Sequence, residues 1–283
     1  MITDIEGVLV GHGTDRDAMT GCTVVVLPPA TVASGEIRGG APASREFALL
    51  EPTRTVGHVD AVVLSGGSAF GLAAADGVMD RLAERGRGFQ TPHGAVPIVV
   101  GLSLFDLGVG DGSVRPGPAE GRAAFDAAGS GRHDIGTVGA GTGATCNKWS
   151  GSPQPAGIGA ATVTADSVIV SALIAVNAFG AIDDGTAPDD PGPPVRPEPA
   201  GTNTTIGLVV TNAVVDKAGC HRLAQGAHDG LARALQPAHT AIDGDAVVMA
   251  ATGQAGVEAD PMHLRVLVQA ATVRAIRSVA PAH

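Results

Sequence analysis

Short runs of apolar residues alternate along the chain with alanine-rich segments, and this alternation indicates a mixed α and β fold. The strongest strand patterns are continuous apolar runs, which are typical of strands that are buried on both faces. They cover residues 60–65, 96–104, 168–176, 204–211 and 245–251. The pattern therefore predicts an α/β or layered α+β domain.

Three segments have the spacing of amphipathic helices. One is predicted to follow residue 65, with Ser68 as its N-terminal cap and Gly86 as its end. The other two cover residues 216–235 and 261–279. His221 and His228 share a face of the first of these, but no third ligand stands at metal spacing. We therefore expect solvated or capping roles for both histidines rather than a metal site.

Residues 183–203 break this pattern, since they contain six prolines in 21 residues and hardly any apolar side chain. Proline fixes φ and has no N–H donor, so we expect this linker to be exposed and to lie outside helices and sheets. It stops abruptly at the β-branched run that begins at residue 204. From composition alone, a domain boundary and a loop between two strands are equally good interpretations.

Composition excludes several classes of protein. The 283 residues include 18 Lys+Arg, 28 Asp+Glu and 2% aromatic residues, with a net charge of −10. A nucleic-acid-binding protein and a polybasic membrane anchor are therefore not expected. Three cysteines without a C-x-x-C pair argue against a disulfide framework and a structural zinc site. The longest apolar stretch, 167–182, is shorter than the ~20 residues of a membrane helix. With no signal-peptide pattern at residues 1–6, we expect a cytoplasmic protein.

An Asn-Thr-Thr sequence stands where the proline-rich linker meets the strand, at residues 203–205. The hydroxyl of Thr204 can attack the carbonyl carbon of Asn203, and hydrolysis of the resulting ester would start a new chain at Thr204. The free α-amine, with an ordinary pKa of about 7.7–8.0, can then serve as a general base. Asn and Thr are also common where strands begin, so the same residues fit a purely structural role.

Lys148 is one of only two lysines in a chain that has 16 arginines. It stands beside a glycine-rich stretch and next to the only tryptophan. A desolvated amine can lose its proton, whereas a guanidinium effectively cannot, so an ammonium is a candidate for proton transfer here. A surface lysine is the alternative. Gly139 and Gly141 begin a G-x-G-x-x-A pattern without the helix and acid of a dinucleotide site.

Three further polar residues are candidates for the same chemistry. Asp243-Gly244-Asp245 is typical of a hairpin turn, but two carboxylates at this spacing can also face one site and orient a hydroxyl. Asn177 ends an aliphatic run. A buried amide at that position is either satisfied within the core or directed at a ligand.

Taken together, these segments resemble the autoproteolytic N-terminal-nucleophile hydrolases of the DmpA aminopeptidase and nylon-oligomer hydrolase (NylC) family. Seven pieces match in the family's order across nearly the whole chain. They are RGGAPASRE (from residue 38), VLSGGSAFGL (63), VPIVVGLSLFDL (96), GTVGAGTGATCNKW (136), VNAFG (176), NTTIGLVVTNA (203) and HTAIDGDAVVMAATG (239). The Asn-Thr-Thr and Asp-Gly-Asp pieces look closer to the nylon-oligomer branch than to aminopeptidases with a serine nucleophile.

The resemblance implies an α+β fold, a four-layer αββα sandwich, in a single domain of residues 1–283. It also implies cleavage between Asn203 and Thr204 into subunits 1–203 and 204–283, and a tetramer or larger ring of processed heterodimers. No cofactor is implied. The implied roles are nucleophile for Thr204, assistance to its hydroxyl for Lys148, positioning for Asp243 and Asp245, oxyanion stabilisation for Asn177, and substrate contact for Phe105, Gly139 and Gly141. Phe105 stands where many relatives carry Tyr.

The leading hypothesis is a self-processing amide-bond hydrolase. Its substrates would be aliphatic amides, 6-aminohexanoate oligomers or the N-terminal residues of small peptides. One alternative is a serine esterase of α/β-hydrolase type that uses Ser68, although G-G-S-A-F-G departs from G-x-S-x-G. Another is a non-catalytic protein whose glycine-rich loops bind a small anion.

Overall fold

The computed structural model describes residues 1–195 and 202–280. Within them, ten strands form two five-stranded sheets: β1 (Leu9–Asp15), β2 (Thr20–Val26), β3 (Val32–Ile37), β4 (Ala43–Arg45), β5 (Ala61–Ser65), β6 (Val99–Ser103), β7 (Gly157–Ala165), β8 (Val168–Asn177), β9 (Thr204–Thr211) and β10 (Ala246–Ala251). The α-helices are α1 (Ala74–Glu84), α2 (Pro118–Asp126), α3 (Lys217–Ala234) and α4 (Pro261–Arg277).

Shorter elements lie in the connections between these strands and helices. Short 3₁₀ helices cover Ile2–Asp4, Phe47–Leu50, Ser68–Ala73, Gly139–Gly141 and Lys148–Ser150. Short strand pairs join Phe89–Thr91 to Gly94–Val96, Thr145–Cys146 to Gln154–Pro155, and Ala181–Ile182 to Leu235–Gln236. None of the helices in residues 1–195 and 202–280 has the length and apolar character needed to cross a membrane.

The strand order explains where the helices lie. Sheet 1 has the order β1-β2-β5-β6-β4, and sheet 2 has the order β7-β8-β9-β10-β3. Neighbouring strands are antiparallel except for the pairs β5–β6 and β9–β10, which are parallel. A parallel pair needs a long crossover connection, usually a helix. α1 lies in the connection between β5 and β6, and α3 lies in the connection between β9 and β10.

Three apolar cores separate four layers. The central core lies between the two sheets and joins Leu64 and Leu102 to Leu173 and Ile206. A second core packs the outer face of sheet 1 against α1 and α2, and a third packs the outer face of sheet 2 against α3 and α4. Successive residues of a strand serve different cores, since side chains alternate across a sheet. The layer order is α-β-β-α, and the predicted α+β sandwich is confirmed.

The predicted strands and helices are present at the expected positions, but some of their bounds and one cap differ. The strands predicted over 60–65, 96–104, 168–176, 204–211 and 245–251 and the two later helices are all present, although β6 covers only the end of its predicted range. The cap predicted for Ser68 is wrong. Gly67 precedes the first turn, which is a 3₁₀ helix, and Ser68 lies inside it with φ of 55°.

Two segments whose role the sequence left open are also clear. Asp243-Gly244 does not form a hairpin, because β10 pairs in parallel with β9 instead of folding back on the preceding chain. Residues 183–195 of the proline-rich linker contain no helix or strand, as predicted, while residues 196–201 lie outside the described residues. The strands on either side of the linker, β8 and β9, are neighbours in sheet 2, as expected for a loop within one sheet.

Lys217, the first residue of α3, holds the loop between β4 and β5. Its Nζ donates to three backbone carbonyls, those of Leu49 at 2.8 Å, Arg54 at 2.9 Å and Val56 at 2.7 Å. An ammonium has three N–H groups that diverge from one atom, whereas the donors of a guanidinium lie in one plane. The three carbonyls therefore account for a lysine at this position.

We predict that Lys217→Met lowers the melting temperature by several degrees, because the carbonyls lose a charged donor whose bonds contribute about 1–3 kcal/mol. Lys217→Arg restores the charge without the geometry, so it should recover only part of the loss. Thermal unfolding followed by circular dichroism measures both. Arg222→Met, which removes a charge from the exposed part of the same helix, is the control, and a Lys217→Met protein as stable as this control would contradict the role.

Candidate active site

Three strand ends meet at one edge of sheet 2. β8 ends at Asn177, β9 begins at Thr204, and β10 begins one residue after Asp245. β8 is antiparallel to β9, and Asn177 pairs directly with Thr204. β10 is parallel to β9, so its beginning lies at the same edge. Asn203 and Asp243 extend this pairing as a parallel bridge. The pairing pattern thus brings together four of the residues predicted from sequence to be catalytic.

The carbonyl oxygen of Asn203 accepts two hydrogen bonds. One comes from the hydroxyl of Thr204 in a very close contact, and the other comes from the backbone N–H of Gly244 at 2.8 Å. Both residues of the bond are buried, with Thr204 only 3% exposed. Backbone donors aimed at a carbonyl oxygen stabilise negative charge that develops there. The carbonyl of the bond predicted to be cut therefore lies against both the predicted nucleophile and a backbone donor.

Glycines allow two loops to pack backbone against backbone beside this bond. A Cβ at Gly244 would lie 2.8 Å from the Thr204 hydroxyl and 2.6 Å from the carbonyl oxygen of Ala41. On the other side, a Cβ at Gly39 would lie 2.2 Å from the nitrogen of Asp245. The two motifs RGG and DGD therefore need glycine for close approach.

Lys148 is buried, and its ammonium donates two hydrogen bonds to Asn177. Its Nζ donates to the side-chain oxygen of Asn177 at 2.9 Å and to the backbone oxygen of the same residue at 3.2 Å. The turn that carries Lys148 is fixed because the N–H groups of Asn147 and Trp149 donate to the loop after β8. The amide nitrogen of Asn177 donates to the backbone oxygen of Phe105 at 2.7 Å. Phe105 thus reaches this network through its backbone.

Asp243 is a buried acid held by three donors. Its carboxylate accepts from the N–H of Phe179 at 3.2 Å, from the N–H of Thr240 at 3.1 Å and from the Thr240 hydroxyl in a very close contact. Burial and then the charge of Asp245 raise the pKa of Asp243 above its ordinary value. The two acids therefore resist being ionised together.

Asp245 connects Thr205, the residue after the predicted nucleophile, to a histidine. Its Oδ1 accepts from the N–H of Thr205 at 2.7 Å. Its Oδ2 lies 2.8 Å from Nδ1 of His239 and accepts from the backbone N–H of His239 at 3.1 Å. Burial lowers the pKa of His239, but the hydrogen bond and charge of Asp245 outweigh burial, so the net pKa is raised.

No hydrogen bond joins Gly139 or Gly141 to Thr204 in the structure. Both are buried in a 3₁₀ turn that packs on β1, β2 and β7. A Cβ at Gly139 would meet the hydroxyl of Thr23 at 2.2 Å, and one at Gly141 would meet the N–H of Ile158 at 2.2 Å. Packing therefore explains both glycines, and their contact with substrate stays a prediction.

Two other kinds of site find no support within residues 1–195 and 202–280. No histidine there hydrogen-bonds to the hydroxyl of Ser68, as a serine esterase would require. Nor do these residues contain a group of three or more His, Cys, Asp or Glu arranged to hold a metal ion.

Two groups of this site are not predicted from the sequence. The N–H of Gly244 could not be predicted, because every residue except proline has a backbone N–H. His239 opens the motif that contains both acids, six residues before Asp245, and this short spacing is the one signal that could have indicated it. The solvated or capping role predicted for His228 is wrong, because its ring is buried between α3 and β3. His221 and His228 contact the carbonyls of Gly35 and Glu36 in the edge strand β3.

Comparisons with known proteins found a matching family model and several relatives. The model of peptidase family S58 matches residues 1–282. An uncharacterised aminopeptidase of Mycobacterium tuberculosis is 43% identical over 90% of this chain and 82% of its own length. A 6-aminohexanoate-oligomer endohydrolase of Paenarthrobacter ureafaciens is 29% identical over 91% of this chain and 76% of its own length.

Solved structures with low sequence identity share the fold. The β-aminopeptidase of a Burkholderia species has a TM-score of 0.73 at 24% identity, and the alignment covers 97% of this chain and 84% of that one. The L-aminopeptidase D-Ala-esterase/amidase of Ochrobactrum anthropi, described as a new variant of the Ntn hydrolase fold, has the same TM-score and coverage at 19% identity.

The raised pKa of Asp243 has a measurable effect on stability. Because the folded protein binds this proton more tightly than the unfolded chain does, stability falls as the pH rises from the ordinary pKa through the raised one. We predict that the melting temperature of Asp243→Asn, relative to the parent protein, increases between pH 4 and pH 7. Asp17→Asn, at an exposed acid between β1 and β2, is the control. A difference that is the same at both pH values would contradict the assignment.

Proposed function

The chain belongs to peptidase family S58, and from this membership and the geometry of the site we propose that it activates itself by cutting the Asn203–Thr204 bond. The family and the relatives identify an amide-bond hydrolase. The observation that carries the proposal of self-cleavage is the carbonyl of Asn203, which accepts from both the Thr204 hydroxyl and the Gly244 N–H. The products would be residues 1–203 and 204–283.

The first step of the proposal is an acyl shift from nitrogen to oxygen. The Thr204 oxygen forms a bond to the carbonyl carbon of Asn203, and negative charge develops on the carbonyl oxygen, where the Gly244 N–H stabilises it. The C–N bond then breaks, and the hydroxyl proton passes to the departing nitrogen. Water hydrolyses the resulting ester, which leaves a carboxylate on Asn203 and a free amine on Thr204.

The second step applies the same hydroxyl to a substrate amide. The new amine of Thr204 takes the hydroxyl proton as a general base while the hydroxyl oxygen attacks the substrate carbonyl carbon. The amide C–N bond then breaks, the substrate amine leaves with that proton, and water hydrolyses the acyl-enzyme. A role for Asn177 at the oxyanion is supported by its amide nitrogen, which carries two hydrogens. Among the described residues one acceptor is found for it, the backbone oxygen of Phe105, so the other hydrogen can be donated to substrate. Lys148 orients this amide by holding its oxygen. Asp243 and Asp245 would position the nucleophile and its amine.

The substrate class is proposed from the relatives and from one cleft. The relatives include proteins named as aminopeptidases and as 6-aminohexanoate-oligomer endohydrolases. A cleft of about 850 Å³ lies beside the Lys148 turn, where Trp149 and Ile182 form apolar walls and Asp184 and Arg277 contribute charged groups. Apolar walls with charged groups of both signs suit a short aliphatic chain with a charged end. Aliphatic amides, aminohexanoate oligomers and short peptides share that chemistry.

The location and the assembly of the protein are also part of the proposal. A cytoplasmic location agrees with three cysteines that are all free and buried. A tetramer or larger ring of processed heterodimers follows from the family resemblance. The two alternative functions, a Ser68 esterase and a non-catalytic binding protein, are not favoured by the family or by the relatives.

We predict that Thr204→Ala stays a single chain of 283 residues and does not hydrolyse amides, whereas Thr204→Ser, which keeps a hydroxyl, is still cut. Thr205→Ala is the matched control, because its hydroxyl is buried one residue further on without a partner among the described residues. Mass measurement of the denatured proteins is the test. A Thr204→Ala protein that still yields a fragment beginning at residue 204 would refute the proposal.

Gly244→Ala tests the geometry around the bond. The added methyl would lie 2.8 Å from the Thr204 hydroxyl and should displace it from the Asn203 carbonyl. Since misplacing a reacting group by about 1 Å can cost 10²-fold in rate, we expect cleavage to slow by about that factor. Gly57→Ala, at a position where a Cβ meets no atom within 4 Å, is the control. Normal processing of Gly244→Ala at an unchanged melting temperature would contradict this geometry.

A further inference from the structure

His239 has an acceptor at each of its two ring nitrogens. Nδ1 lies 2.8 Å from Oδ2 of Asp245, and Nε2 lies 3.3 Å from the backbone oxygen of His228. A neutral imidazole carries only one N–H and could satisfy only one of these oxygens. The doubly protonated ring satisfies both, so the geometry favours an imidazolium inside the protein.

The backbone fixes this ring against the carboxylate. His239 has φ of 56°, a left-handed conformation that is uncommon outside glycine. Its own N–H donates to the same Asp245 oxygen that meets its Nδ1. Such a conformation persists when the surroundings over-determine it, and it is concentrated at functional sites. Backbone and side chain together therefore lock His239 onto one oxygen of Asp245.

Asp245 is the counter-ion of the His239 ring, because the other charged groups near the ring are paired with each other or neutral. Arg38, at the end of β3, opposes the imidazolium, but its own charge is balanced by Glu36 at 3.2 Å and Asp229 at 3.3 Å. His228, on α3, packs edge to face with His239 at 4.9 Å between ring centroids. Burial lowers the pKa of His228 to about 4, so this neighbour is neutral.

The other oxygen of Asp245 links this ion pair to the reacting bond. Oδ1 accepts the N–H of Thr205, the residue directly after the nucleophile, at 2.7 Å. Asp243 lies two residues before Asp245, and the two carboxylates destabilise each other's charge. A cation beside Asp245 therefore offsets the repulsion between the two carboxylates.

We propose that His239 is a positioning residue, whose imidazolium holds Asp245 directed at the Thr205 N–H so that Thr204 stays aligned with the Asn203 carbonyl. The inference rests on the proposed self-cleavage and adds to it a dependence on charge. Loss of the second ring proton would leave His239 unable to donate to both Asp245 and the His228 carbonyl, so self-cleavage should slow as the pH rises through the raised pKa of His239.

The test is the pH profile of self-cleavage. Full-length chains from cell-free synthesis are diluted into buffers between pH 4.5 and 9, and the first-order appearance of a fragment with the mass of residues 204–283 is recorded. His239→Asn keeps an amide donor and accepts positive φ, but it removes the charge. His239→Gln is a second amide variant with a longer side chain, and thermal unfolding verifies that each variant folds.

We expect the rate of the parent protein to fall as the pH rises through the raised pKa of His239, and we expect the amide variants, which have no ring to titrate, to lack this fall. The plateau rate should fall less than tenfold. His221→Asn is the matched control, since its ring contacts the Gly35 carbonyl instead of Asp245, and its profile should follow the parent protein.

Two outcomes would overturn the inference, and they differ from each other. If the parent protein is cut but the amide variants lower the rate by one factor at every pH, His239 is merely structural and the proposed function stands. If the parent protein never yields the 204–283 fragment, the proposed function fails and the inference fails with it.

Discussion

The two different pairings of β9 are the constraint on which the site depends. An antiparallel neighbour on one side sets Asn177 opposite Thr204, and a parallel neighbour on the other side brings Asp245 to the same edge. Because side chains alternate along a strand, a slip of one residue would turn Thr204 away from the face that it shares with Ile206. The large buried cores on both sides of sheet 2 exclude such a slip.

This arrangement collects polar groups where water cannot reach them. Asp243, Asp245, Lys148 and Asn177 are all buried, and each makes hydrogen bonds that offset part of its desolvation. The balance is incomplete, since the side-chain oxygen of Asn203 lacks a partner among the described residues. A site of this kind lowers the stability of the fold in exchange for reactivity.

The sequence predicts the elements and the site residues better than their connections. Continuous apolar runs indicate β8 and β9 because strands covered on both faces need no polar alternation. The strands β1, β2, β3, β4 and β7 and the helix α2 are not predicted. Leu9–Asp15 and Val32–Ile37, for example, mix glycine and charge with few apolar residues, and Pro118–Asp126 is short. The sequence leaves a hairpin open at Asp243-Gly244 because turn preferences are local, whereas the partner of β10 is set by sheet 2. The Gly244 N–H and the charge of His239 depend on tertiary contacts that no residue pattern encodes.

The strand order of sheet 2 has a consequence for the molecule after the proposed cut. β9 and β10 would belong to the smaller piece, yet they lie between β8 and β3 of the larger one. The pieces could then separate only by breaking a ladder on each side, so the nicked protein would persist as one body. Once heat had pulled them apart, recovery would require two chains to meet in solution. After self-cleavage, the lifetime of the folded protein would therefore be set by its rate of unfolding and no longer by a reversible folding equilibrium.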